Sequence, residues 1–295
     1  MSDSAEVPTD VQFTSRDGVR LAGTLFAPPR PGAALLISSG VGYPRAFYAR
    51  FAAYGAARGF ACLTYDYRGL GDSAPADMRA CTADLLDWGC KDAPAALDCL
   101  AARYPGVPLF TLGHSFGGQL VGLMDNAHLA RGHALVAVGN GFFLLHDPAD
   151  WWKEFLFFHV LGPLSIARHG YLKGTRYWPG VSMPRRVFWQ WRRWCHRPGY
   201  YLRDVRERLQ GGHFVMQGAP MRHFAFTDDP VANRRSEGFT RACYRDADYH
   251  TCWIAPEDLG AAHIGHSGAF SQRLQAFWPK PFDWFERLMG QGADL

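Results

Sequence analysis

The stretch Gly113-His114-Ser115-Phe116-Gly117-Gly118 constrains this chain more than any other. Ahead of it, Val107-Pro108-Leu109-Phe110-Thr111-Leu112 is an apolar run of strand length, and behind it Gln119-Leu120-Val121-Gly122-Leu123-Met124 reads as the start of a helix. Gly-x-Ser-x-Gly between a strand and a helix is the setting of a nucleophile elbow, a turn so tight that the serine takes strained dihedrals and its neighbours must be small. Gly113 and Gly117 meet that need, because a residue without Cβ lets backbone approach closely. The Ser115 hydroxyl then projects at the top of a sheet, and the Phe116 N–H at the helix start faces developing negative charge. The competing reading is a helix N-terminus that merely contains Ser and Gly, so the rest of the chain has to supply a base, an acid and a second oxyanion donor.

The remaining pattern fits a parallel sheet. Residues 11–27 read as a hairpin about the turn Arg16-Asp17-Gly18. Ala33-Ala34-Leu35-Leu36-Ile37-Ser38 and Phe60-Ala61-Cys62-Leu63-Thr64-Tyr65 are continuous apolar runs, as strands buried on both faces are. Phe47 to Arg58 reads as a helix stopped by Gly59, and Asp84 to Tyr104 as a second helix in which Pro94 predicts a kink or break. Further strands are expected at 134–138, 221–227 and 249–254, and further helices at 234–244 and 282–288. Strands alternating with helices imply right-handed crossovers and a mostly parallel sheet with helices on both faces.

This alternation breaks at Gly139-Asn140-Gly141. From Phe142 to Gly212 the chain is aromatic and basic, with Trp151-Trp152, Tyr177-Trp178 and Phe188-Trp189-Gln190-Trp191-Arg192-Arg193-Trp194. Residues 142–218 hold twelve Lys and Arg against five Asp and Glu, so the rest of the chain is net negative. We expect an inserted helical cap over 142–212, with the core formed by 1–141 and 213–295. The cap's Trp151, Trp152, Trp189 and Trp191 offer apolar contact to an acyl or aryl group, or form the cap's own core. Its arginines offer charge to a substrate carboxylate or phosphate, form a solvated face, or help to dock the cap on anionic lipid.

The totals exclude several classes. A net charge of +4 is too mild to argue for nucleic acid. The polar N-terminus lacks the features of a secretory signal, and the longest apolar run, 155–161, is cut short by Gly162-Pro163, so no membrane span is expected. Seven cysteines without CxxC spacing fit free thiols in a reducing cytosol better than disulfides or zinc.

A serine hydroxyl needs a neighbouring base. Among twelve histidines, His266 is favoured over His263, because it lies just past the last strand, flanked by Gly265 and Gly268. The acid that orients it is expected from Phe226-Thr227-Asp228-Asp229-Pro230 at the end of a strand, with Asp229 preferred to Asp228. Ser115…Asp229…His266 is the chain order of an elbow-type triad. The second oxyanion donor is expected in Ser38-Ser39-Gly40-Val41-Gly42-Tyr43-Pro44, as the Val41 N–H, with Gly40 the alternative.

With these residues in view the chain resembles the α/β-hydrolase superfamily. Asp66-Tyr67-Arg68-Gly69-Leu70-Gly71-Asp72-Ser73 resembles its motif after the fourth strand, Asp229-Pro230 its acid position and Gly265-His266 its histidine position. The resemblance covers about 11–140 and 219–290 and is nearest to bacterial hydrolases of the serine aminopeptidase and lysophospholipase-like branch. One departure stands out: Ser39-Gly40 occupies the place of the usual His-Gly. The resemblance implies a Ser-His-Asp triad without metal or organic cofactor; it does not fix the reaction, and a small-molecule ester is the expected substrate because esters leave more easily than amides. Asp66 and Arg68 are expected to hold their loop rather than react. Thioester or amide cleavage, acyl transfer on the same triad, and ligand binding without turnover remain alternatives.

Overall fold

The computed structural model describes residues 8–175, 180–209 and 214–290. Tyr177, Trp178, the polar N-terminus and the 212/213 boundary lie outside the described residues. The first strands are β1 (Thr9–Thr14), β2 (Arg20–Phe26) and β3 (Ala33–Ser38), followed by α1 (Ala49–Ala57) and β4 (Phe60–Tyr65). Then come α2 (Leu85–Asp87), α3 (Ala93–Arg103), β5 (Leu109–His114), α4 (Phe116–Gln119) and β6 (Ala130–Val136). An inserted segment follows, with α5 (Trp151–Leu156), α6 (Gly162–His169), β7 (Tyr171–Leu172), β8 (Met183–Pro184), α7 (Arg185–Cys195) and α8 (Leu202–Arg208). The chain closes with β9 (Pro220–Phe226), α9 (Arg234–Cys243), β10 (Asp248–Ile254) and α10 (Pro279–Gly290).

Eight strands form one sheet in the order β1-β2-β4-β3-β5-β6-β9-β10. β1 and β2 pair antiparallel, as do β2 and β4, and the rest of the sheet is parallel. β7 and β8 form a separate antiparallel pair. The apolar runs 33–38 and 60–65 are buried throughout because alternate side chains feed opposite faces. Leu35 and Ile37 join Phe51 of α1 and Phe282 and Phe285 of α10 on one face. Ala34 and Leu36 join Leu97 and Leu100 of α3 on the other. The inserted segment adds Phe158, Phe188 and Trp194 to that second cluster.

Two prolines shape helices without ending them. Asp84 caps the helix at its start, accepting the N–H groups of Leu86 and Asp87, and the kink expected at Pro94 takes the form of a π-helical turn over Trp88–Asp92. A proline lacks an N–H and its ring crowds the carbonyl four residues back, so a wider turn ahead of it relieves both problems. Pro163 does the same in the inserted segment, where a π turn over Phe157–Leu161 joins α5 to α6. Gly162-Pro163 therefore interrupts the apolar run but not the helix.

The expected helix behind Ser115 is shorter than its apolar pattern suggests. α4 spans Phe116–Gln119 and passes into a 3₁₀ turn over Leu120–Leu123. The Gly122 N–H donates to the Tyr244 hydroxyl and its carbonyl accepts from the Phe214 N–H, so both are drawn away from a helical ladder.

Candidate active site

β3 and β5 are neighbours, with Ser38 opposite Gly113. The chain leaves β3 for β4 on one side and later returns to β5 on the other, so a crevice opens outside their carboxyl ends. Ser115 stands at that edge with φ 51 and ψ −122, a conformation that L residues rarely adopt. The glycines around it are required by contact. A Cβ at Gly113 would overlap the Gly117 and Gly118 backbone, and one at Gly117 would overlap the Ser38 carbonyl. A Cβ at Gly118 would lie 2.5 Å from Val138 Cγ2.

His266 reaches the serine from the loop after β10. The Ser115 hydroxyl donates to His266 Nε2 at 2.9 Å. On the other side of the ring Nδ1–H donates to Asp229, at 2.9 Å to Oδ2 and 3.1 Å to Oδ1. Asp229 is buried at the end of β9 and also accepts the N–H groups of Val231 and Ala232, at 2.8 and 2.9 Å. Burial pushes its carboxyl up, but the His266 charge and these donors outweigh burial and hold it below the ordinary value. For His266 burial acts downward, and the Asp229 carboxylate outweighs it, so the imidazole sits above its ordinary pKa. The Glu154 charge on α5 adds to that rise.

The two adjacent acids have separate partners. Asp228 accepts the Ile264 N–H at 2.8 Å and the Gly265 N–H at 3.2 Å, and pairs with His263 Nδ1 at 2.7 Å. His263 thus faces Asp228 at the surface, with a side chain 61% exposed, while His266 faces Asp229 and Ser115. Gly265 turns the loop inward at φ 64, and a Cβ there would lie 2.7 Å from His263 Nε2.

The loop after β3 lies against Ser115: a Cβ at Gly40 would be 3.3 Å from Ser115 Cβ. The Gly40 N–H donates to the Tyr48 hydroxyl at 3.0 Å, which occupies it and leaves Val41 as the candidate donor of the pair. Tyr48 in turn donates to His114 Nδ1 at 2.7 Å, and His114 Nε2–H donates to the His266 carbonyl at 2.9 Å. Only this tautomer fits, because a carbonyl accepts and cannot donate. Burial, with the nearby His266 charge, pushes the His114 pKa down to about 3, so its ring stays neutral. Tyr48 and His114 were not singled out from sequence. His114 is visible beside Ser115, but its partners lie 66 and 152 residues away along the chain.

Asp66 and Arg68 sit apart from this group. Asp66 accepts from the Arg45 backbone and guanidinium and from the Asp72 N–H. Arg68 bridges Asp17 and Asp92, both at 2.7 Å. Of the four tryptophans, Trp152 and Trp189 are 63% and 38% exposed, and Trp191 packs on Phe157 and Phe158 within the inserted segment. Trp151 meets Phe143 edge-on. A groove of about 750 Å³ between β1 and α3 shares no residue with the Ser115 group, so cavity size does not mark this site.

Residues 29–167 match the family model described as serine aminopeptidase, S33. A polyketide transferase, grgF, of Penicillium sp is 39% identical over 74 residues, which is 25% of either chain. Its solved structure, from Penicillium sp. sh18, superposes over 97% of this chain and 100% of its own with TM-score 0.56 and 18% identity. A soluble variant of the Saccharomyces cerevisiae monoglyceride lipase, in complex with a substrate analogue, superposes with TM-score 0.65 at 16% identity, covering 98% of this chain and 97% of that one. An esterase of Pyrococcus furiosus gives TM-score 0.59 at 12% identity, over 95% and 91%. Neighbours and sheet topology agree that this chain has the α/β-hydrolase fold, and its segment 29–167 is similar to the serine aminopeptidase, S33 family.

Proposed function

We propose that the protein is a serine hydrolase that cleaves a carboxylic ester or thioester through an acyl-enzyme on Ser115. The observation that carries this reading is the line of hydrogen bonds from Ser115 Oγ through His266 to Asp229, 2.9 Å on either side of the ring. In the first step His266 Nε2 takes the Ser115 proton as Oγ attacks the carbonyl carbon, and Asp229 stabilises the imidazolium. The Phe116 and Val41 N–H groups face the oxyanion; a donor of this kind is worth about 100- to 1000-fold in rate. His266 then protonates the leaving oxygen or sulfur, and water, deprotonated by the same ring, releases the acid. Residues 142–212 act as a cap over this site, a role supported by the packing of Trp194 against Phe116 at 6.2 Å. The seven cysteines are free, which supports a cytoplasmic protein, and among the described residues no helix is long and apolar enough to cross a membrane.

The relation to a polyketide transferase favours one second reading, acyl transfer from the same acyl-enzyme to an alcohol or amine. A panel of nitrophenyl esters from acetate to palmitate, with a thioester and an anilide, tests the first reading. Turnover that is lost in Ser115→Ala is expected. Turnover unchanged by that substitution would contradict it, and transfer product that rises with added alcohol, at the expense of free acid, would favour the second.

A further inference from the structure

The outer face of the inserted segment carries a surface that the chemistry at Ser115 does not use. α5, the π turn and α6 run without a break from Trp151 to His169. Phe158 and Gly162 are buried on the inner side. Outward stand Trp152 at 63% exposure, Phe155 at 59%, Leu156 at 38%, Val160 at 38% and Leu164 at 62%.

A regular α-helix would scatter these side chains. At about 100° per residue, Val160 and Leu164 would be turned roughly 80° and 120° from Trp152. The π turn takes up one extra residue, which brings Leu164, beyond it, back to within about 20° of Trp152 and turns Val160, inside it, part of the way back. Pro163 accounts for the turn, since its ring crowds the carbonyl of His159, inside it. One proline thus keeps a solvent-facing apolar stripe in phase over the whole helix.

The stripe has cationic neighbours. Phe157, Leu161, Leu164 and Leu172 line a slot of about 210 Å³ whose walls include the exposed Arg168 and Lys173. Lys153 is matched by Asp150 at 2.5 Å, whereas Arg168 and Lys173 have no acidic partner among the described residues. Residues 142–218 as a whole carry a surplus of seven positive charges. A second copy fits this face poorly, because a two-fold contact would bring together two sets of unneutralised cations. Exposed Trp and Leu beside Arg and Lys are what a helix lying in the boundary of an anionic bilayer presents, with the apolar edge in the acyl region and the cations at the phosphates. We propose that the outer face of the 151–169 helix docks the protein on an anionic lipid bilayer.

The full chain tests this by co-sedimentation with vesicles of equal parts phosphatidylglycerol and phosphatidylcholine, against phosphatidylcholine alone. We expect binding to the anionic vesicles only, and release as salt is raised toward about 0.5 M. Arg168→Gln/Lys173→Gln should weaken partitioning about fivefold for each charge removed, and Phe155→Ser/Leu164→Ser should abolish it, with melting temperatures showing that both variants fold. Failure of the folded wild type to sediment would overturn the proposal. So would equal binding to neutral vesicles, variants that bind like wild type, or self-association that Phe155→Ser/Leu164→Ser removes, which would identify a second copy as the occupant.

Discussion

The His114 ring donates to the carbonyl oxygen of His266 at 2.9 Å, so the residue before Ser115 holds the backbone of the residue that meets its hydroxyl. Every proton in this line points one way, from the Gly40 N–H through Tyr48 and His114 to the loop of His266. The loop after β3 and the loop after β10 are thereby tied together beneath the serine.

His114→Leu would leave the Tyr48 hydroxyl and the His266 carbonyl without their shared partner. We expect kcat to fall about 10- to 100-fold with little change in KM, the mark of a misplaced base rather than a lost binding contact. His114→Gln, whose amide can donate to the carbonyl, should recover part of the loss. Steady-state kinetics on a nitrophenyl ester checks this, and a change confined to KM would contradict it.

Asp229 and Asp228 should separate in a pair of amide substitutions. Asp229→Asn removes the charge beside His266 Nδ1 and should lower kcat by on the order of 1000- to 10,000-fold. Asp228→Asn leaves that contact in place and weakens the hold on the Ile264 and Gly265 N–H groups, so roughly a tenfold loss with reduced thermal stability is expected. Equal losses of kcat in the two variants would contradict this division.

If His266 is the base, as proposed, it works when neutral, and the acid limb of the rate profile should follow it. Its pKa is raised by Asp229 against the effect of burial, so kcat/KM should climb with pH around a midpoint above the ordinary value of about 6.5. In Asp229→Asn the residual activity should show a lower midpoint. A midpoint that Asp229→Asn leaves unmoved would contradict the assignment.

Stability should fall on mild acidification. Burial lowers His114 to about 3 and His133 to about 4, so near pH 5 both rings are neutral in the fold and protonated in the unfolded chain. The unfolded state then binds the extra protons, and stability drops as pH falls below about 6.5, by about 4 kcal/mol for the pair between pH 7 and pH 5. His266 works the other way: its contribution is complete below its unfolded pKa and is lost as pH rises through its folded one. Urea unfolding at the two pH values measures the balance, and a flat result would contradict it.

What could be read from sequence was what local pattern decides. The runs 33–38 and 60–65 announce strands buried on both sides, and Gly113 to Gly118 announces the tight turn at Ser115. His266 and Asp229, 37 residues apart, were found because each follows a recognisable strand. Long-range partners left no such trace. Tyr244 and Phe214 shorten the helix after Ser115 from far along the chain, and Tyr48 meets His114 from the opposite side of β4 in sequence. Pro94 and Pro163 were visible as disturbances, but whether a proline ends a helix or widens one turn depends on the packing around it.

The central claim, a nucleophilic Ser115 driven by His266, is tested most directly by reaction of the folded protein with a fluorophosphonate and mapping of the adduct by mass spectrometry. One phosphonyl group on Ser115 is predicted, absent from Ser115→Ala and formed far more slowly in His266→Ala. A well-folded protein that takes no label, or a Ser115→Ala variant that labels as the wild type does, would contradict it.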